Sequence, residues 1–438
     1  MDQMSFENKK VLVYGWARSG RAAYQFLKEL GAQVFLTTDE KPQDLPDNIN
    51  FVTDIDDSFA YLVKNPGIRY DKPIIQKALA LNIPVMTEVQ VALSQYHGEV
   101  VAVTGSNGKT TTTTLIGKML QADQVDVKIG GNIGVPVSEL LLTKPYPKVL
   151  MLELSSFQLE GAQNIEPRIA VITNLFASHI DFHGTRANYL KAKFAITQNQ
   201  TADDYLVLND ASADEKDFAK RSHAQAYYFS PSNTHVTSYV NNDVIYFEDE
   251  KIIDLDEVVL VGEHNLENIL AAITAAKLFG VSNQAIKAVL RSFSGLEHRL
   301  EHVGTIHDRI VYNDSKATDI EATQKALGSF KQDITLIAGG LDRGDDLTRL
   351  VPNLKKVVSL IVYGQTKGKL QEAGKLAGIA QIVVVDNLTD AVAKAKEISQ
   401  PGQVILFSPA AASWDQFANF EIRGREFKKL IQAEEGWS

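Results

Sequence analysis

Short apolar runs alternate with amphipathic helical stretches from one end of the chain to the other. That alternation predicts α/β domains built on mainly parallel sheets. Lys10–Tyr14 reads as a buried strand, Gly15–Gly20 as the turn after it, and the residues to about Leu30 as a helix. Gln33–Thr37 reads as the next strand, and the βαβ pattern continues through Asn65-Pro66-Gly67 to about Ser94. A second series opens at Val100–Val103, with strands at Val149–Leu154 and Ile169–Thr173 and a long helix near Leu266–Leu278. It ends near Phe293-Ser294-Gly295. A third begins at about His298, with strands at Ile310–Asn313, Ile334–Ala338, Leu360–Tyr363, Ile382–Val385 and Val404–Phe407. Three domains are therefore expected, at 1–95, 96–297 and 298–438, and a length of 438 residues agrees at about 150 per domain. Ligands of open parallel sheets bind beyond the carboxyl ends of the strands, so the loop after each strand is the place to look for chemistry.

Composition narrows the classes. The chain is 45% hydrophobic and 22% charged, an ordinary globular balance. Its net charge of −10 argues against nucleic acid or an anionic membrane as a partner, though local loops can still bind phosphate. There are no cysteines, which excludes disulfides and thiolate zinc sites. The start, MDQMSFENKK, is polar and has no apolar signal core behind it. No apolar run reaches the ~18 residues of a membrane span. A cytoplasmic protein is expected.

The sharpest motif is Thr104-Gly105-Ser106-Asn107-Gly108-Lys109-Thr110-Thr111, which follows a predicted strand and opens a predicted helix. Glycines there let backbone N–H groups wrap phosphate oxygens, and the helix N-terminus adds positive potential. Lys109 can reach the β and γ phosphates, and a Thr110 or Thr111 hydroxyl can bind Mg²⁺. The loop is two residues shorter than the usual phosphate loop, and such a pattern arises by chance in roughly one to two chains per hundred of this length. Glu153 ends the strand beside it and can hold Mg²⁺ directly or through water. His179-Ile180-Asp181-Phe182-His183 offers three potential ligands; either a zinc site or a single histidine near Mg²⁺ would fit. Lys193 falls on the predicted helix Asn188–Gln198, where its sequence surroundings do not single it out. Gly15-Trp16-Ala17-Arg18-Ser19-Gly20 is a poor dinucleotide fingerprint, because Ala17 replaces the middle glycine. In the third domain, Asn313–Thr318, Gly339–Gly344 and Ser408–Ser413 are polar, small-residue loops after strands, a plausible anion site.

Together these segments resemble the Mur ligase family over essentially the whole chain. Thr104–Thr111 is similar to that family's shortened ATP loop, His264-Asn265-Leu266-Glu267-Asn268 to its H-N-x-x-N helix start, and Gly295–Arg299 to the entry of its third domain. Asp314–Thr318 and Ser408–Phe420, followed by Arg423-Gly424, resemble the D-glutamate-adding members. Where the family usually has an aromatic after the D-D pair of its G-G-x-D-[KR]-G loop, this chain has Leu347. The resemblance implies Rossmann-like first and third domains around a central P-loop ATPase-type α/β domain. It implies a monomeric ligase of peptidoglycan precursor synthesis that uses ATP and Mg²⁺. The substrates would be UDP-MurNAc-L-Ala and D-glutamate, joined through an acyl phosphate. By resemblance, Gly105, Ser106, Asn107, Gly108, Lys109, Thr110 and Thr111 hold ATP, and Asn268, Arg299 and Asp314 face the nucleotide. Thr110, Glu153, His179 and Lys193 organise the metal, with Lys109, Glu153, His179 and Lys193 as the catalytic set. Lys193 matches a lysine that family members carry as a carbamate. Arg18, Ser19, Thr38 and Asn132 would contact the UDP-sugar, and Lys316, Thr318, Ser413 and Phe420 the D-glutamate. The rivals are another Mur or folylpolyglutamate-type ligase, a P-loop switch or transport ATPase, and a nicotinamide oxidoreductase, which the missing glycine disfavours.

Overall fold

The computed structural model describes residues 4–43, 45–162, 165–176, 179–211 and 213–437. The chain forms two compact units, one of residues 1–258 and 264–291, the other of 259–263 and 292–438. The first unit holds two sheets. One has five parallel strands in the spatial order Asn50–Phe51, Gln33–Thr37, Lys10–Tyr14, Tyr61–Lys64 and Val85–Thr87. The other has nine, in the order Glu250–Asp254, Val244–Phe247, Ser238–Asn241, Gln225–Ser230, Tyr205–Asn209, Ile169–Ile172, Glu99–Thr104, Val149–Glu153 and Val127–Gly131. One apolar cluster runs through both, from Phe6, Val11 and Val34 to Val137, Leu152 and Leu206.

The second unit has six strands, in the order Glu301–Ile306, Arg309–Asn313, Val404–Phe407, Ile334–Gly339, Val357–Tyr363 and Gln381–Val384. Two apolar clusters flank this sheet, one containing Leu336, Leu360 and Leu406, the other Ile337, Ile361 and Phe407. Consecutive residues of a strand point to opposite faces, so these neighbours feed two cores. Leu347, the departure from the family pattern, is buried in the first of them.

The all-apolar runs form central parallel strands, because helices cover both faces of such a sheet. Val101, Ala102 and Val103 are fully buried. The pattern passed over the strands from Tyr205 to Asp254, three of which pair antiparallel as Ser238–Asn241, Val244–Phe247 and Glu250–Asp254. All three are short, and Ser238–Asn241 and Glu250–Asp254 also carry exposed polar positions, so periodicity barely distinguishes them from loops. Glu301–Ile306, also antiparallel, was missed for the same reason: it has no buried position. The helix Lys109–Ala122 starts with five threonines, poor helix formers, yet Thr111–Thr113 are buried and the Thr114 hydroxyl donates to Thr110 O at 2.8 Å. Tertiary packing outweighs propensity there.

Candidate active site

Strand order explains what gathers around the phosphate loop. Glu99–Thr104, the strand that leads into it, lies between Val149–Glu153 and Ile169–Ile172. The tips of those neighbours, Glu153 on one side and Thr173-Asn174 on the other, therefore flank the loop. Asn174 accepts the Ser106 N–H on its carbonyl and the Asn107 N–H on its side chain, both at 2.9 Å. The Thr173 hydroxyl donates to Asn107 O at 2.5 Å. Two glycines permit this closeness. A Cβ on Gly105 (φ +145°) would lie 1.9 Å from Thr173 Oγ1, and one on Gly108 (φ +80°) would lie 2.1 Å from Asn268 Oδ1. Asn268, far off in sequence, is thus packed against the loop, with Asn265 as its hydrogen-bond acceptor at 3.2 Å.

Two lysines meet at one carbonyl. Lys109 Nζ donates to Gly105 O at 2.8 Å and Ser106 O at 2.9 Å. Lys193 Nζ donates to the same Gly105 O at 2.7 Å. Lys193 sits on the helix Arg186–Phe194 and is 2% exposed. Burial, then the nearby Lys109 charge, pull its pKa down to about 6, while Glu153 opposes the shift. Sequence surroundings gave Lys193 no distinction; tertiary structure makes it a buried, largely neutral amine. Tyr189, one helical turn earlier, has its hydroxyl 2.7 Å from Ser106 Oγ and its ring 4.9 Å from Lys193 Nζ.

Glu153 is also buried. Its Oε1 accepts from Asn132 Nδ2 at 2.8 Å, and Asn132 N–H donates to Glu153 O at 2.8 Å. Its Oε2 has no hydrogen-bond partner among the described residues. A buried carboxylate oxygen left open beside a phosphate loop fits a hard divalent cation such as Mg²⁺. His179 is exposed, adopts φ +53° and lies with its ring 5.0 Å from Phe157. The zinc reading meets an obstacle at His183, which is buried with Nε2 2.9 Å from Ser156 Oγ. Among the described residues no group of three or more His, Asp or Glu could hold a metal, and the Asp181 side chain lies outside that description.

In the five-stranded sheet, the order reverses between Lys10–Tyr14 and Tyr61–Lys64, the kind of switch point beside which such sheets bind ligands. Gly15 and Asn65 follow those two strands, and Ser19 Oγ donates to Asn65 Oδ1 at 3.3 Å. Arg18 lies 3.6 Å from Glu139, and the Thr38 hydroxyl donates to Glu40 O at 2.7 Å. The switch point thus brings Ser19 together with Asn65, which the sequence marks only as part of a turn.

In the second unit, Val404–Phe407 lies between Arg309–Asn313 and Ile334–Gly339, so the three predicted anion loops are neighbours. Arg423, fully buried, ties two of them: Nη2 donates to Ser315 O at 2.8 Å and Nη1 to Ala411 O at 3.1 Å. Ser413 is buried on the second loop and Thr318 partly buried on the first. Lys316 is exposed, with Nζ 5.5 Å from the Phe420 ring centre. Asp314 accepts from Ser408 Oγ at 2.8 Å and from Leu300 N–H at 3.1 Å, and burial raises its pKa to about 7. Arg299 is exposed and electrostatically close to Asp314. Nothing local in the sequence gives Arg423 this role; a lone arginine on an amphipathic helix carries no sign that it faces inward.

Residues 103–276 match the family described as Mur ligase middle domain, and residues 298–411 that described as Mur ligase, glutamate ligase domain. The chain is 76% identical over 438 residues to UDP-N-acetylmuramoylalanine–D-glutamate ligase of Oenococcus oeni, covering all of both chains. It is 50% identical over 440 residues to the ligase of the same name from Leuconostoc citreum, covering 98% of each. Among solved structures it is similar to UDP-N-acetylmuramate-alanine ligase from Thermotoga maritima, with a TM-score of 0.61 at 19% identity over 97% of this chain and 99% of that one. At that identity the likeness speaks for the fold, which has the α/β layers and strand-tip loops described above. The shortened phosphate loop, the strand-tip carboxylate and the full-length identity agree: the chain belongs to the Mur ligase family.

Proposed function

We propose that this chain joins D-glutamate to UDP-N-acetylmuramoyl-L-alanine at the expense of ATP, a step of peptidoglycan precursor synthesis. The observation that carries the reading is the pair of lysines on Gly105 O beside the Glu153 carboxylate, in a chain 76% identical over its full length to a ligase of that name. A carboxylate is a poor electrophile, so it must first be activated. The terminal carboxylate oxygen of the nucleotide substrate attacks the γ-phosphorus of ATP, and ADP leaves. The amine of D-glutamate then attacks the acyl phosphate carbon. The tetrahedral intermediate loses a proton and expels phosphate, leaving the amide.

The phosphate loop, with backbone N–H groups and Lys109, binds the transferring phosphoryl group and stabilises the charge that moves onto the leaving oxygen. Thr110, Glu153, His179 and Lys193 are the residues that would hold Mg²⁺. The ion, when bound, neutralises phosphate charge and draws the reacting anions together. Lys193 fits a further role. A largely neutral buried amine can add CO₂, forming an N–C bond and releasing a proton, and so replace a cation with an anion on the metal side of the site. Asn132 holds Glu153 in place while contacting the sugar substrate. Arg18, Ser19 and Thr38 bind the UDP end, and Asn268, Arg299 and Asp314 the nucleotide of ATP. Lys316, Thr318, Ser413 and Phe420 receive D-glutamate. ATP and nucleotide-linked sugars are cytoplasmic pools, so the cytoplasm is the compartment of the reaction, and the enzyme acts as a monomer. No helix among the described residues is long and apolar enough to cross a membrane.

The test is phosphate release with ATP, Mg²⁺ and UDP-MurNAc-L-Ala against a panel of D- and L-amino acids. Release that requires both D-glutamate and the nucleotide substrate is expected. Equal release with no amino acid, as from a switch ATPase, would overturn the proposal.

A further inference from the structure

The strand Val85–Thr87 is an outer strand of the five-stranded sheet and pairs on one side only, with Tyr61–Lys64. Pro84 O accepts the Leu62 N–H at 3.0 Å, so the backbone at Pro84 and, two residues on, at Met86 turns toward that partner. Val85 and Thr87 turn the other way. Thr87 N–H is occupied, donating to Gly161 O at 3.0 Å. Val85 N–H and C=O have no hydrogen-bond partner among the described residues. Val85 lines a cavity of about 540 Å³. Besides Val85, its lining includes the apolar Leu79 and Pro84 and the polar Tyr70, Asn82, Gln90 and Glu160.

The Glu160 side chain is 36% exposed, and its one ion-pair contact among the described residues is His183 Nδ1 at 3.9 Å. Lys64 is close enough to act on it electrostatically, but donates its own hydrogen bonds to Pro66 O at 3.1 Å and Ile68 O at 2.9 Å. The cavity therefore presents a carboxylate, an open pair of strand-edge backbone groups and an apolar wall. None of these groups has a part in the proposed reaction.

We propose that this cavity is a ligand site for a small apolar molecule carrying an ammonium group next to an amide, the chemistry of an amino-acid amide or of the first residue of a short peptide. The ammonium pairs with Glu160. The amide exchanges hydrogen bonds with Val85 N–H and C=O, extending the sheet by one rung. The apolar side chain lies against Leu79 and Pro84. Gly161 follows the helix Ser156–Glu160, which continues from the nine-stranded sheet, so an occupant touches both sheets at the seam that Thr87 N–H already closes. Binding should therefore raise the melting temperature of the first unit.

The experiment is isothermal titration of the full chain with phenylalaninamide at about pH 6.5, below the roughly 7.7–8 of an α-amino group, so that the probe is mostly charged. Saturable binding at one site is expected. N-acetylphenylalaninamide, which lacks the charge, should bind at least about tenfold more weakly, and Glu160→Gln should lose a similar factor for the charged probe. Leu79→Trp, at an exposed position on the cavity wall, should block the site without disturbing the core, and it decides the matter if Glu160→Gln does not fold. The dipeptide amide phenylalanylalaninamide separates the two sources: equal or tighter binding assigns a peptide N-terminus, and markedly weaker binding an amino-acid amide. No saturable heat up to about 10 mM probe, or an affinity unchanged in both variants, overturns the site. Neither result depends on turnover, so the proposal can fail while the ligase reading stands.

Discussion

A lysine amine that is mostly neutral near pH 7 is rare, because an exposed ammonium is strongly hydrated. Lys193 reaches that state through burial and the Lys109 charge, which together bring it to about 6. The same burial that removes its proton makes it a nucleophile for CO₂. Lys193→Ala should therefore be nearly inactive in phosphate release and partly restored by a small added carboxylic acid, which replaces the anion. A variant with wild-type rate and no response to acid would remove the carbamate from the mechanism. Gly108 shows the other residue-scale constraint. Its φ of +80° and its 2.1 Å clearance to Asn268 Oδ1 leave no room for a side chain, so loop and distant helix are matched at a single atom.

At the scale of elements, helices join the five-stranded sheet to the nine-stranded one. The helix Glu88–Leu93, which follows the outer strand of the five-stranded sheet, packs on the short helix Val137–Leu140. Glu88 Oε1 accepts from the Ser138 hydroxyl at 2.7 Å and from the Ser138 N–H, while Oε2 is buried without a hydrogen-bond partner among the described residues. Burial pushes the Glu88 pKa up to about 7 from 4.5. A folded value above the unfolded one means that the folded state holds more protons between them. The stabilisation is complete below about pH 4.5 and is lost as pH rises through 7. Glu88→Gln mimics the protonated form at every pH. Relative to wild type, its stability in urea should rise by about 1–3 kcal/mol between pH 5 and pH 7.5. A gap independent of pH would show that Glu88 ionises normally. The loops of the second unit yield another test. In the proposed D-glutamate site, Lys316 would supply a charge for one carboxylate, and Ser413 with nearby N–H groups would bind the other. Lys316→Ala and Ser413→Ala should each lose about 1.5–3 kcal/mol in kcat/KM for D-glutamate, roughly ten- to a hundred-and-fiftyfold. Wild-type KM for D-glutamate in both variants would move the amino-acid site elsewhere.

Over the whole molecule, cores and sheets divide the chain differently. The five- and nine-stranded sheets share one apolar cluster, in which Phe6 and Val11 belong with Val137 and Leu206. The six-stranded sheet has its own two clusters, drawn almost wholly from residues after 300. A fragment of residues 292–438 should therefore fold by itself and unfold cooperatively in urea. A fragment of residues 1–95 keeps the cluster of Leu12, Leu62 and Ile75 but loses the central-sheet part of the shared one, and should be much less stable or molten. Far- and near-ultraviolet circular dichroism of both fragments checks this, and the reverse ranking would refute it.

The amino-acid sequence alone determined the α/β class, the central strands and the position of the phosphate loop, because each rests on local physics. A strand buried on both faces must be an apolar run, and a loop that wraps phosphate needs glycines next to a helix start. The short strands Ser238–Asn241, Glu250–Asp254 and Glu301–Ile306 lack that local signature, because they are polar and only partly buried. Other features depend on residues far apart in the chain, so only tertiary structure decided them. Lys193 and Gly105 are 88 positions apart, yet they share a hydrogen bond. Arg423 reaches Ser315 across 108 positions. A lysine on a helix is normally solvated, and the tip of a central strand with the loop after it is what strips the water from this one. Proton loss follows desolvation, and desolvation is set by packing across strands rather than by sequence neighbours.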